Sequence, residues 1–115
     1  MHEQGETKGL LELAVRRAQA AGASRITDVY LAVGELSTVA EESVQWYWET
    51  LCPGTLAAGA RLHFRRMPAV WLCVDCGQRL TTLSGECCPA CGSLRLRIAS
   101  GQDCCLEAID IQTGD

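Results

Sequence analysis

The sequence predicts an α+β protein in which two helices pack on a small mixed sheet, with a cysteine-rich subdomain inserted near its C-terminal end. Two stretches carry apolar residues at helical spacing, and four carry them in the alternation typical of strands. A further stretch holds five cysteines among glycines and polar turns, and it has too few apolar residues to form a core of its own. The length of 115 residues suits one domain with a small insert.

The first helix is predicted over Leu10–Gly22. Its apolar side chains recur at the three- and four-residue spacing that places them on one helical face. Gly22 stands where a C-terminal cap is expected, whereas Gly5 and Gly9 weaken the helix start, so we expect the helix to begin after them. The face expected to be buried is formed by Leu11, Ala14, Val15 and Ala18.

The second helix is predicted over Val39–Leu51. Thr38 and Glu41 have the spacing of a capping box, and Pro53 followed by glycine ends the helix. Its apolar face is predicted to be Ala40, Val44, Tyr47 and Leu51.

Alternating apolar and polar residues predict the strands. Within the second one, His63 and Arg65 should face away from Leu62 and Phe64, and His63 should face solvent. The last strand should contain an irregularity near Ala108, because the apolar spacing slips there. We expect strands on both sides of the insert to share one sheet, with both helices on one face. The predicted strands are Ser24–Gly34, Ala60–Met67, Leu94–Ile98 and Leu106–Ile111.

Composition argues against several classes of protein. The formal net charge is −4, and no basic stripe of the kind that binds nucleic acid is present. No apolar run approaches the roughly 20 residues that span a bilayer, and the N-terminus lacks the basic and apolar regions of a signal peptide. We therefore expect a cytoplasmic protein without a membrane or nucleic-acid partner. In that reducing compartment, closely spaced cysteines favour metal binding over disulfides.

The cysteine-rich stretch contains two C-x-x-C pairs separated by 11 residues. Each pair can aim two thiolates at one point, and two pairs complete a closed tetrahedron, which predicts a structural Zn(II) site. For the second pair, Cys88 gives the same spacing as the first, whereas Cys87 gives one residue more, so Cys88 is preferred. The predicted zinc ligands are Cys73, Cys76, Cys88 and Cys91.

This site divides the predicted fold into two parts. Residues 70–93 form the inserted zinc-ribbon subdomain, and residues 1–69 together with 94–115 form the α+β domain. A dithiol redox pair is an alternative, but a single C-x-x-C would suffice for that chemistry. Cys87 is then a free thiol or a neighbour of the site, Cys52 is a buried apolar residue, and Cys104 and Cys105 are core or surface residues pointing to opposite sides of a strand.

These features in this order resemble the HypA family of hydrogenase nickel-incorporation proteins, called HybF in one paralogous branch. The resemblance runs over nearly the whole chain, and its most specific parts are the first three residues and the two cysteine pairs. It also rests on segments 10–22, 33–37, 54–60, 100–102 and 109–111.

The N-terminus has a chemistry of its own that agrees with the resemblance. The His2 imidazole lies within chelate reach of the α-amine of Met1, and the deprotonated amides of His2 and Glu3 can complete a plane of four nitrogens. Square-planar nitrogen ligation suits Ni(II) and Cu(II). The resemblance implies that His2 is the nickel ligand and that Glu3 tunes the site.

The resemblance implies a metallochaperone that carries Ni(II) as cargo and is not an enzyme. It implies two partners, a nickel-handling GTPase of hydrogenase maturation and the large subunit of a nickel–iron hydrogenase. Two alternatives do without nickel binding: a zinc-ribbon module that binds nucleic acid, which the acidic balance disfavours, and a zinc-stabilised scaffold of another complex.

Overall fold

A computed structural model describes the backbone of residues 2–82 and 85–114, and the side chains of the same residues except those of residues 2 and 3. Among these residues, no helix has the length and apolar character needed to cross a bilayer. In chain order the elements are α1 (His2–Ala20), β1 (Ala23–Gly34), α2 (Glu41–Leu51), β2 (Arg61–Met67), β3 (Val70–Cys73), β4 (Arg79–Leu80), β5 (Leu96–Ser100) and β6 (Cys104–Thr113).

The main sheet has the order β2-β1-β6, with β1 parallel to β2 and antiparallel to β6. One face of this mixed sheet packs against α1 and α2, and the core lies between them. The predicted α+β class is confirmed. The register between β1 and β6 shifts beside Ala108, so the predicted irregularity of the last strand is also confirmed. Fully buried side chains at the centre of the core include those of Ile26, Val29, Leu31, Val44 and Trp48.

Helix α1 begins eight residues earlier than predicted, at His2 instead of Leu10. It runs through Gly5 and Gly9, each of which costs roughly 1 kcal/mol relative to alanine in a helix. Thr7 is fully buried, and Leu10 and Leu11 belong to the main core, which offsets this local preference. The helix ends at Ala20, and Gly22 has a φ of 71°, which confirms the predicted glycine stop.

Helix α2 begins at Glu41, so the predicted start at Val39 and the capping box are wrong. The Val39 side chain is drawn into the core, and its backbone N–H donates to the Ser37 hydroxyl at 3.0 Å. This keeps the chain extended up to Ala40, which is the N-cap and receives no side-chain hydrogen bond. Of the predicted face, Val44 is buried and Leu51 packs against the core, whereas Trp48 takes the central place predicted for Tyr47.

The strand predicted over Leu94–Ile98 runs from Leu96 to Ser100 and does not join the main sheet. It pairs antiparallel with β3, which also pairs with β4, in a second sheet of three strands. The expectation that it would share one sheet with the other predicted strands is therefore wrong, because alternation identifies a strand but not its partner. The division into two domains stays a prediction, and the pairing of β5 is a reason to place the second boundary after residue 100.

Two glycines allow the two sheets to meet closely. A Cβ on Gly34 would lie 2.2 Å from the carbonyl oxygen of Gly101, and a Cβ on Gly101 would lie 2.6 Å from the Cα of Ala69. The Glu35 carboxylate accepts a hydrogen bond from the N–H of Ala69 at 3.0 Å, and the N–H of Leu36 donates to the Gly101 carbonyl at 2.8 Å. Three chain segments are thus fixed against each other where the second sheet leaves the main one.

Candidate metal centre

The second sheet brings together the four cysteines of the two C-x-x-C pairs. Their Sγ atoms all lie within 4.8 Å of one another, and this is the only group of three or more potential metal ligands among the described residues. Cys73 and Cys88 are buried, while Cys76 and Cys91 are exposed. Each pair therefore contributes one inner and one outer sulfur to the cluster.

Two matching turns aim the sulfurs inward. In the first, the N–H of Gly77 donates to the carbonyl of Cys73 at 2.9 Å, and in the second the N–H of Gly92 donates to the carbonyl of Cys88 at 2.7 Å. Both glycines have a φ of 77°, a conformation that side chains rarely allow. The glycine after each C-x-x-C pair is thus required by the fold of the turn.

Asp75 ties the two turns together, which the sequence pattern did not reveal. It lies inside the first pair, and its carboxylate accepts a hydrogen bond from the Ser93 hydroxyl and another from the Arg95 guanidinium at 2.9 Å. The N–H of Val74 also donates to the carbonyl of Arg95 at 2.9 Å. In the sequence, this contact corresponds only to an aspartate within the first turn and a serine just after the second.

The donor set fits a tetrahedral Zn(II) ion. Four sulfurs about 2.3 Å from a central zinc would be separated by about 3.8 Å. The Cys73–Cys91 and Cys76–Cys88 sulfur pairs are 3.6 and 3.7 Å apart. Because all four tetrahedral positions would be filled by sulfur, such a site favours a structural ion over a catalytic one.

The electrostatics of the cluster favour a bound cation. Backbone N–H groups, first that of Cys76 and then that of Asp75, lower the pKa of Cys73 to about 6. The N–H of Ser93 acts in the same direction on Cys91, but the neighbouring cysteines and burial outweigh it and raise the pKa of Cys91 to about 12. Without a metal the thiols cannot all ionise together at neutral pH, whereas a dication would favour four thiolates.

The remaining cysteines lie outside this cluster. Cys87 is exposed and is not part of the group, in agreement with the choice of Cys88. Cys52 is buried in the main core, as predicted. Cys104 is half-buried while Cys105 is exposed, and burial, followed by the charge of Glu6, raises the pKa of Cys104 to about 11. A protonated thiol of this kind is a poor nucleophile, which disfavours a redox role for it.

His63 lies on the open face of the main sheet and is half-exposed, as the alternation predicts. Its Nε2 is 2.8 Å from the Asp28 carboxylate, and its ring stacks on Tyr30 with the centroids 4.7 Å apart. The Tyr30 hydroxyl in turn donates to Asp110 at 2.7 Å. These contacts account for His63 as part of a polar surface network.

Most atoms of the predicted nickel ligands lie outside the described part of the chain. Met1 lies outside the described residues, as do the side chains of His2 and Glu3. The backbone of residues 2 and 3 forms the start of α1. The nickel site therefore stays a prediction.

Comparison with known proteins agrees with these features. The sequence model of a family described as hydrogenase/urease nickel incorporation, metallochaperone, hypA matches residues 1–111. The chain is 33% identical to the hydrogenase maturation factor HypA of Aeromonas hydrophila over 112 residues, which cover 96% of this chain and 99% of that protein. It is 34% identical to the hydrogenase maturation factor HybF of Salmonella typhimurium over 113 residues, which cover 97% of this chain and all of the relative.

Two solved structures share the fold. The solution structure of the Ni metallochaperone HypA from Helicobacter pylori superposes with a TM-score of 0.78 at 20% identity and covers 97% of this chain and 98% of that one. A second solution structure, of a protein named HypA, gives a TM-score of 0.82 at 23% identity and covers 99% of this chain and 98% of the other.

Proposed function

Because the chain belongs to the HypA family of metallochaperones for nickel incorporation into hydrogenase and urease, we propose that it binds Ni(II) through its first three residues and hands it on during hydrogenase maturation. As a member of this family it is a non-enzymatic maturation factor. The observation that carries the proposal is the family match, which begins at residue 1 and so includes Met1, His2 and Glu3.

The beginning of α1 supports this ligand set. The first four N–H groups of a helix have no acceptor within the helix. Since α1 starts at His2, the amide nitrogens of His2 and Glu3 belong to this group, and their deprotonation by a metal would break no helical hydrogen bond. A chelate of the Met1 amine, these two amides and the His2 imidazole would offer Ni(II) four nitrogens in a plane.

Charge also favours amide ligation at this position. The N-terminus of a helix carries a partial positive charge and disfavours a bound cation. Two deprotonated amides would cancel the two charges of Ni(II), which leaves a neutral chelate at the helix end. Binding would release protons, so nickel should dissociate as the pH falls.

We assign a structural Zn(II) ion to Cys73, Cys76, Cys88 and Cys91. The support is the agreement between the separations of their sulfurs and the edges of a tetrahedral zinc–sulfur site. The ion would supply folding energy to a segment whose own core is small, with Cys73, Leu80 and Cys88 as its buried members. Zinc would thus be a permanent part of the fold, while nickel is cargo.

We propose two partner proteins that take part in nickel delivery. A GTPase that handles nickel would supply or release the metal, and the large subunit of a nickel–iron hydrogenase would receive it. The comparisons name hydrogenase for the relatives and both hydrogenase and urease for the family, so hydrogenase is the proposed client.

The test is a nickel titration of untagged, zinc-loaded protein by isothermal calorimetry. The wild type should bind one equivalent of Ni(II), and His2→Ala should lose this binding while the circular dichroism and zinc content stay unchanged. Gln4→Ala, an exposed neighbour on α1, is the matched control and should bind as the wild type does.

A protein extended at its N-terminus tests directly whether the Met1 amine is a nickel ligand. One additional residue before Met1 converts the α-amine into an amide, so it should weaken nickel binding strongly even though His2 is intact. Full binding by His2→Ala, or by the extended protein, would contradict the proposed ligands.

A further inference from the structure

A trench runs between α2 and β2, which is an edge strand of the main sheet. It consists of two adjoining cavities of about 610 and 440 Å³ that share Gln45 and Glu49 on their walls. Because β2 is paired only with β1 among the described strands, its outer edge is open along this trench. None of the four clustered cysteines lines this surface.

Aromatic side chains line the trench. Trp46 is 60% exposed, which is unusual for so large an apolar side chain, and its ring is held edge-on against Tyr47 with the centroids 5.0 Å apart. The half-buried Phe64 lines the same cavity from β2. Exposed tryptophans beside an apolar floor are typical of the residues that dominate protein–protein interfaces.

The end of the trench beside Trp46 is acidic, and no cationic residue of the described chain lines the smaller cavity there. At the other end Arg61 lines the larger cavity, but its guanidinium already pairs with Asp28 at 3.3 Å. Glu41 pairs with Arg66 at 3.7 Å, but Glu42 and Glu49 are exposed and meet no cation among the described residues. Glu49 accepts a hydrogen bond only from the neutral Gln45 amide, at 2.6 Å. Two carboxylates without a described ion-pair partner thus flank Trp46, one a helical turn before it on α2 and the other a helical turn after it.

A buried donor in the wall of the trench also lacks a partner. Trp48 lines the larger cavity and is fully buried, and its indole N–H has no hydrogen-bond acceptor among the described residues. Buried N–H groups are nearly always paired, since leaving one unpaired costs free energy. Because this N–H is itself covered by protein, a segment in the trench does not reach it, and the docking argument rests on Trp46 and the glutamates.

We propose that the trench between α2 and β2 is a docking site for a basic, extended segment of a partner protein. Lysine or arginine side chains of the segment would pair with Glu42 and Glu49, and one cation would stack on the exposed face of Trp46. The glutamates around Trp46 disfavour an acidic segment or a nucleic acid at this end of the trench. This docking goes beyond the proposed nickel function and does not depend on it, because none of the residues involved belongs to either metal site.

The test uses full-length, zinc-loaded, nickel-free protein and a fluorescein-labelled octapeptide of alternating arginine and alanine. Fluorescence anisotropy should show saturable binding to the wild type, weakened about fivefold in the double variant Glu42→Gln/Glu49→Gln. Trp46→Ala should weaken it about threefold or more, and Trp46→Phe should retain part of the affinity because a ring remains. All three positions are accessible on the helix surface, so the fold should survive, which circular dichroism checks.

The matched control removes the same charge elsewhere. Glu12→Gln/Glu86→Gln changes two exposed glutamates without ion-pair partners among the described residues, and it should bind the peptide as the wild type does. Equal weakening by this control would show that only net charge matters and would overturn the proposal. Equal binding of an octapeptide of alternating glutamate and alanine would overturn it too. Sedimentation that reveals a dimer lost in Trp46→Ala would assign the trench to a second copy instead.

Discussion

Replacement of Gly34 by alanine should destabilise the protein through one steric conflict. Gly34 does not have a positive φ, so alanine is not strained by its own backbone. Its Cβ would, however, stand 2.2 Å from the oxygen and 2.3 Å from the carbon of the Gly101 carbonyl. Because the conflict is with backbone, which cannot rotate away as a side chain does, we expect the upper end of the usual cost of overpacking, about 3 kcal/mol.

Urea unfolding followed by circular dichroism measures this cost. With an m-value of about 2 kcal/mol per molar, the midpoint should fall by about 1.5 M. Gly9→Ala is the matched control, since a Cβ there meets nothing within 4 Å and α1 should gain about 0.5–1 kcal/mol. Zinc is quantified in both variants so that metal loss is not mistaken for strain. A Gly34→Ala protein as stable as the wild type would refute the close approach of the two sheets.

Three further predictions test other parts of the structure by substitution. Cys88→Ser should lose zinc during dialysis, whereas Cys87→Ser should retain one equivalent, as measured by elemental analysis. His63→Ala should raise the pKa of Asp28 in an NMR titration, because the hydrogen bond from His63 is the largest cause of its lowering. A lowered carboxyl pKa stabilises the fold above the unfolded value near 3.9, and this contribution is lost as the pH falls through the folded pKa, so the difference between the two proteins should vanish in acid. Glu35→Ala should cost about 1 kcal/mol in urea unfolding by leaving a backbone N–H at the sheet junction without its acceptor, while Glu35→Gln, which keeps an oxygen there, should cost less.

Local pattern predicted most of the main domain. The alternation around Leu62 identified β2 to within one residue, and Gly22 marked the end of α1, because both depend on neighbours in sequence. The start of α2 could not be predicted in this way. Thr38 and Glu41 have the spacing of a capping box, but the burial of Val39 keeps the chain extended there, and burial is decided by the rest of the fold.

In the cysteine cluster too, features set by neighbours in sequence could be predicted, whereas contacts between distant residues could not. Spacing alone chose Cys88 over Cys87, since a C-x-x-C turn fixes its own geometry. The contact of Asp75 with Arg95 joins residues 20 positions apart, and no local pattern predicts it. The pairing of β5 with β3 was missed for that reason too, because an alternating strand fits the edge of either sheet.

The central claim is that the N-terminal amine and two backbone amides bind nickel. It is tested most directly by counting the protons released on binding, from calorimetric titrations of untagged, zinc-loaded protein in buffers of different ionisation enthalpy. Near neutral pH the amine is largely protonated and both amides carry a proton, so about three protons should be released per Ni(II). Release of fewer than about one proton would mean that imidazole and carboxylate groups alone hold the metal, and it would contradict the account.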